Sequence, residues 1–233
     1  MDETMNETSV TSRRNTLKTP RAAAIAGIIF AVLYSATLVL LYLSVSPVRK
    51  TDITWMETNA GMASFALNLM PYAGIAFLWF IGVIRDQLGD MEDRLFATVF
   101  LGSGLLFLAL TFVGAALVGG MMDSYMIDPG IFDQSGLYTY NRAVTYQAIN
   151  IYAIRMAGVF MISLATIWIR TGLMRRTWAI LTYALALVLL LSIGFSLLVT
   201  LIFPAWVLVV SVIILIRNLH DPPPERDAEA MNT

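Results

Sequence analysis

The stretch Ala66–Leu108, ALNLMPYAGIAFLWFIGVIRDQLGDMEDRLFATVFLGSGLLFL, is two long apolar runs joined by a short, highly charged turn. It reads as a membrane hairpin, because about 20 apolar residues are enough for a helix to cross a ~30 Å hydrocarbon core. In the turn, Gly89 suits the left-handed residue that ends a helix. Asp90 is placed to cap the next helix, with Glu92 and Asp93 in its electropositive first turn. Capping thus accounts for the acids. An intramembrane aspartyl protease would need a second membrane-embedded carboxylate to share a proton, and no other span carries Asp or Glu.

The rest of the chain follows the hairpin. Of 233 residues, 58% are hydrophobic and 13% charged, against about 45–50% and about 25% in soluble domains, so the chain belongs in lipid. A net charge of −1 gives no sign of a nucleic-acid partner, and none is expected, since a protein that binds the nucleic-acid backbone concentrates basic residues on a face or tail. With no cysteine there is no thiolate, disulfide or iron–sulfur site. The one histidine, His220, lies near the C-terminus, which removes zinc-protease motifs and any triad needing a histidine within the membrane. No residue set for a metal, a cofactor or catalysis is present.

The expected fold class is all-α, a polytopic transmembrane helical bundle of six spans with both termini cytosolic. Residues 1–20 form a disordered tail whose Arg13, Arg14 and Lys18 are a basic flank; the pair is not a twin-arginine signal, because Thr16 replaces the bulky apolar residue such signals carry. Residues 21–218 form the membrane domain, with spans at about 22–45, 60–84, 95–121, 144–169, 178–196 and 200–216, and residues 219–233 form a second disordered tail. The last two spans come from one uncharged run, Trp178–Ile216, whose 39 residues would make a helix close to ~60 Å long. It must fold back, and Gly194–Pro204 is where a turn is expected. Residues 122–143 read as a solvated, partly interfacial loop; its Asp123, Asp128 and Asp133 lack the alternation of a calcium loop. Eleven of the 15 Lys and Arg fall in the tails and the second and fourth loops, against three in the first and third, which sets the orientation. Small residues at Ala115-x-x-x-Gly119 and Ala116-x-x-x-Gly120 suit close helix contact.

Arg155 is the one ionisable residue well inside a span. It lies 15 residues from Arg170, or ~22 Å along a helix, too deep to reach water by snorkelling. A charge facing lipid there costs several kcal/mol, so Arg155 is expected to face the bundle interior. In the second span Asn68 sits 17 residues from Arg85, ~25 Å away and so at nearly the same depth. Pro71 lacks an amide hydrogen and leaves the Leu67 carbonyl without its helical donor. The expectation is a polar centre of Arg155, Asn68 and the Leu67 carbonyl beside Pro71, with Gln147 and Asn150 as neighbours. It is either a structural pin or a pocket for an anionic ligand or lipid head group.

The block LNLMPYAGIAFLWFIGVIRDQLGDMEDRLFATVFLGSGLLF resembles one in a family of small, six-span bacterial membrane proteins to which no function is assigned, and the likeness extends more weakly to Ile151-Tyr152-Ala153-Ile154-Arg155-Met156. The resemblance implies a cytoplasmic-membrane location and carries no functional residue. Three classes remain. A structural or regulatory membrane protein, with membrane lipids, other membrane proteins or its own copies as partners, needs no site and comes first. A small-molecule, anion or lipid transporter or binding protein using the centre at Arg155 comes second, and an intramembrane enzyme third.

Overall fold

The computed structural model describes residues 19–45, 55–88, 94–134, 136–172, 175–192 and 197–220. Among these the chain is helical, with no strand. In order come α1 (Thr19–Ser44), the single turn α2 (Trp55–Thr58), α3 (Ala60–Leu88), α4 (Arg94–Ile127), α5 (Pro129–Gln134) and α6 (Leu137–Tyr146). A π-helical segment, Gln147–Ala153, then leads into α7 (Ile154–Thr171), followed by α8 (Arg176–Leu191) and α9 (Leu197–His220). Apolar runs choose helices because lipid offers backbone amides no other partner.

Among the described residues, five segments are long and apolar enough to cross a bilayer: Ala22–Ser44, Ala60–Arg85, Leu95–Ile127, Leu137–Thr171 and Leu197–Ile216. The chain is therefore a helical bundle of membrane type. At 16 residues α8 is shorter, ~24 Å against a ~30 Å core. The long uncharged run does divide, but earlier than Pro204. Ser192 is already extended, with φ −61° and ψ 126°, whereas Pro204 lies inside α9. A helix resuming at Leu197 absorbs the proline with the loss of one hydrogen bond, the one Thr200's carbonyl would otherwise accept from residue 204.

Helix α1 packs along both α3 and α9, and α7 packs against α4 and α8. The approach of α1 to α9 and α3 is set by Gly27, where a Cβ would overlap Ser211 Oγ and the Phe80 ring. At the centre, phenylalanines from five helices meet: Phe30 from α1, Phe77 from α3, Phe107 from α4, Phe160 from α7 and Phe203 from α9, with Phe80 of α3 and Phe100 of α4 beside them. Phe77 is the hub, its ring centroid 4.6 Å from Phe30, 5.4 Å from Phe107, 5.5 Å from Phe160 and 5.7 Å from Phe203. Two of these four pairs, those with Phe107 and Phe203, meet edge to face, the arrangement that ring quadrupoles favour, each adding about 0.5–1.5 kcal/mol beyond area burial. Tyr34 extends the cluster, 5.7 Å from Phe107. Its hydroxyl is hydrogen-bonded to Thr111.

A second cluster lies at the other end of α4. The 34 residues of α4 make a helix of ~51 Å, longer than a ~30 Å core is thick. Its Met121, Met122 and Tyr125 pack with Trp55 and Met56 of α2, Phe132 of α5 and Tyr138 of α6. Residues 122–143 are thus mostly helical and close one end of the bundle, where the composition suggested a solvated loop. Asn59 Nδ2 donates to the last carbonyl of α1, at Ser44, over 3.1 Å, and the Tyr125 hydroxyl donates to the Glu57 carboxylate over 2.6 Å. Tyr125→Phe removes that second bond and is expected to cost about 1 kcal/mol, below the usual ~1.5–3 kcal/mol for a charged acceptor because Glu57 is exposed. Equilibrium unfolding in mixed detergent micelles checks it.

Candidate functional site

The π-helical segment Gln147–Ala153 is the irregular stretch of a membrane helix, and it immediately precedes Arg155. The Ile154 amide reaches back five residues to the Ile149 carbonyl. In an α-helix it would serve Asn150, whose carbonyl therefore loses that donor. The bulge is accommodated by α4 at Gly114, where a Cβ would overlap the Ile149 side chain. Such bulges recur at functional sites because they free backbone acceptors and re-aim side chains.

Arg155 is half-buried, and its Nη1 donates to the Ile151 carbonyl one turn back on its own helix, over 2.8 Å. Asn150 is also half-buried, with its Oδ1 fully enclosed and without a hydrogen-bond partner. An enclosed amide oxygen left unsatisfied costs about 1–3 kcal/mol, so the segment holds an acceptor ready for a donor. Gln147 is exposed.

The second-span members of the expected centre are not brought to Arg155. Asn68 and Pro71 are exposed, and Leu67, half-buried, packs with the second cluster around Trp55. The reason is azimuth. The buried positions of α3 include Ala63, Ala66, Met70, Ala73, Phe77, Phe80 and Ile84, a stripe at helical spacing that Ala76 and Ile81 join. Asn68, two residues from Ala66, lies ~200° round the helix and off that stripe. Depth along the axis matched the two residues, but rotation separated them. The turn residues Gly89, Asp90 and Asp93 lie outside the described residues.

A bond within one helix does not pin it to another. Arg155→Met, which keeps length and removes the charge, is expected to change unfolding stability in detergent by less than about 1 kcal/mol. A loss of 3 kcal/mol or more would show a partner on a neighbouring helix.

Two features escaped the reading of residue types. The aromatic centre was present as phenylalanines on five apolar runs, with nothing in their spacing to show that they converge. A lateral groove between α8 and α9, ~350 Å³ in volume, is lined by Trp178, Leu181 and Leu185 on one side and Ile202, Val209 and Ile213 on the other. Among the described residues, no group of His, Asp or Glu side chains is placed to hold a metal ion. No protein-family model, curated protein or solved structure matches the chain.

Proposed function

We propose that the protein is a structural or regulatory component of the cytoplasmic membrane, acting through contacts with other membrane components rather than by moving a solute. The observation that supports this is the aromatic centre. A carrier needs a polar route across the bilayer, and here buried phenylalanines from five helices interlock on the bundle axis. Purified protein in proteoliposomes is expected to pass anions, protons and small zwitterions no faster than protein-free vesicles, while native-membrane purification recovers a protein partner at fixed stoichiometry. Sustained flux above the blank would overturn the reading.

In this reading α8 makes the sixth crossing, its ~24 Å helix extended by its flanks, and both termini lie in the cytosol. A green fluorescent protein fused at the C-terminus is then expected to fluoresce. An alkaline phosphatase fusion at the same place is expected to be inactive; the reverse pair would remove one crossing.

One observation favours a second reading, in which the segment around Arg155 binds a small anionic ligand. It is the enclosed, partnerless Asn150 Oδ1 five residues from a half-buried guanidinium. A ligand with an anionic group for Arg155 and a hydroxyl for Asn150 would satisfy both. Such a ligand is expected to raise the melting temperature of the wild-type protein and not that of Arg155→Met.

A further inference from the structure

Helices α8 and α9 follow one another in the chain, yet they hardly pack together: α8 lies mainly on α7, and α9 on α1. Each nevertheless turns an apolar stripe toward the gap. On α8 the stripe is Trp178, Leu181, Thr182 and Leu185, and on α9 it runs from Ile202 to Ile213 at helical spacing. The groove between them, ~350 Å³, is floored by Trp206 and Trp168, both buried, with ring centroids 6.0 Å apart. In the floor the Trp206 indole N–H is already satisfied, since Nε1 donates to Thr182 Oγ1 over 3.0 Å. That hydroxyl donates in turn to the Trp178 carbonyl over 2.9 Å. The rim is open: Trp178, Leu181 and Val209 are all exposed. From Ile202 to Ile213 the groove extends ~17 Å along α9, about the depth of one leaflet of a ~30 Å core.

At the end where α8 begins, the groove meets positive charge. Arg175 is the residue before the helix and Arg176 its first residue, both exposed, two to three positions from Trp178. The first turn of α8 carries no acid and its N-terminus has no side-chain cap, so its leading amides add their partial positive charge to the two guanidinium groups. An apolar slot one leaflet deep under a cationic rim matches one kind of molecule in a membrane.

We propose that the groove between α8 and α9 binds a phospholipid with an anionic headgroup, one acyl chain lying in the slot and the phosphate against Arg175, Arg176 and the start of α8. Trp178, exposed and two residues after Arg176, suits the membrane–water interface, which tryptophan indoles favour. The site does not involve Arg155 and stands apart from the partner-binding reading above: the lipid can bind whether or not a protein partner exists.

The test is tryptophan quenching in lipid nanodiscs by phosphatidylglycerol or phosphatidylcholine with brominated acyl chains, using the full chain carrying Trp79→Phe. That change removes an indole 65% exposed on the outside of α3, which would report bulk lipid. The remaining signal is expected to be quenched by brominated phosphatidylglycerol at about ten- to thirty-fold lower mole fraction than by brominated phosphatidylcholine, since each arginine near a surface contributes about 1 kcal/mol toward an anionic lipid. Arg175→Gln with Arg176→Gln should bring the two lipids to parity. Ala205→Phe, which places a ring in the groove Ala205 lines, should reduce quenching by both. Equal quenching by the two lipids in the unsubstituted groove overturns the proposal and needs no folded variant. So does a phosphatidylglycerol preference that survives Ala205→Phe undiminished, which would mean accumulation at the surface without entry of a chain.

Discussion

Phe77→Ala is expected to cost about 3 kcal/mol of unfolding free energy, the largest loss from any single side chain in the bundle. Its ring is fully buried and stands within 6.2 Å of five other phenylalanine rings, on α1, α4, α7 and α9 and, through Phe80, on α3 itself. In water, Phe→Ala in a core costs about 3–5 kcal/mol, part of it transfer from water and part the cavity left behind. Here the transfer part shrinks, because helices that come apart in a bilayer expose their faces to lipid, not water. The cavity and the lost dispersion and ring contacts remain, and they set the value near the low end of that range. Trp79→Ala is the control: a larger ring, 65% exposed, expected to change stability by less than about 0.5 kcal/mol. Unfolding by sodium dodecyl sulfate titration into lipid–detergent micelles, followed by circular dichroism, measures both. If the two substitutions cost the same, size and not convergence would explain the effect.

Gly27→Val comes next, at about 2–3 kcal/mol. At Gly27 even one carbon overlaps Ser211 Oγ and the edge of Phe80, so a branched side chain must push α1 off α9 or α3. The contacts it opens are those of α1 with both partners, the most extensive in the fold. Ser211 Oγ is enclosed and has no hydrogen-bond partner, so little is lost when it is removed. Gly27→Ala with Ser211→Gly is therefore expected to recover about half of what Gly27→Ala alone loses, the remainder being the clash with Phe80. Strict additivity of the two changes would mean that the side chains do not meet.

Much of this fold could be read from apolar run length. The runs that begin at Ala22, Ala60 and Leu95 are each helical and each long enough to span, because lipid leaves the backbone no other choice. Rotation was legible only in part. The alanines of α3, Ala63, Ala66 and Ala73, mark its packed face in advance, since small residues let helices approach. Asn68 lies off that face, so pairing it with Arg155 by depth alone left out half of the geometry. The π-helical segment before Arg155 has no period that residue types announce: it is a one-residue surplus, settled by how Ile149 seats on Gly114. The end formed by α2, α5 and α6 was hidden for a different reason. Its sequence mixes Asp, Pro, Gly and Tyr, as surface loops do, and what residue types do not announce is that Phe132 and Tyr138 pack with Tyr125 near the C-terminal end of α4.

The proposed reading, a bundle closed along its axis with Arg155 outside any water-filled route, makes a direct demand on accessibility. The chain has no cysteine, so single cysteines can be placed without background. Ala153 and Ala157 flank Arg155, and each is 1% exposed and belongs to the central cluster. Ala153→Cys and Ala157→Cys in intact membranes should resist a water-soluble, charged maleimide from either side and react once the protein is unfolded in sodium dodecyl sulfate. Fast labelling of either cysteine in the folded protein would place water at the centre of the bundle and contradict a closed axis.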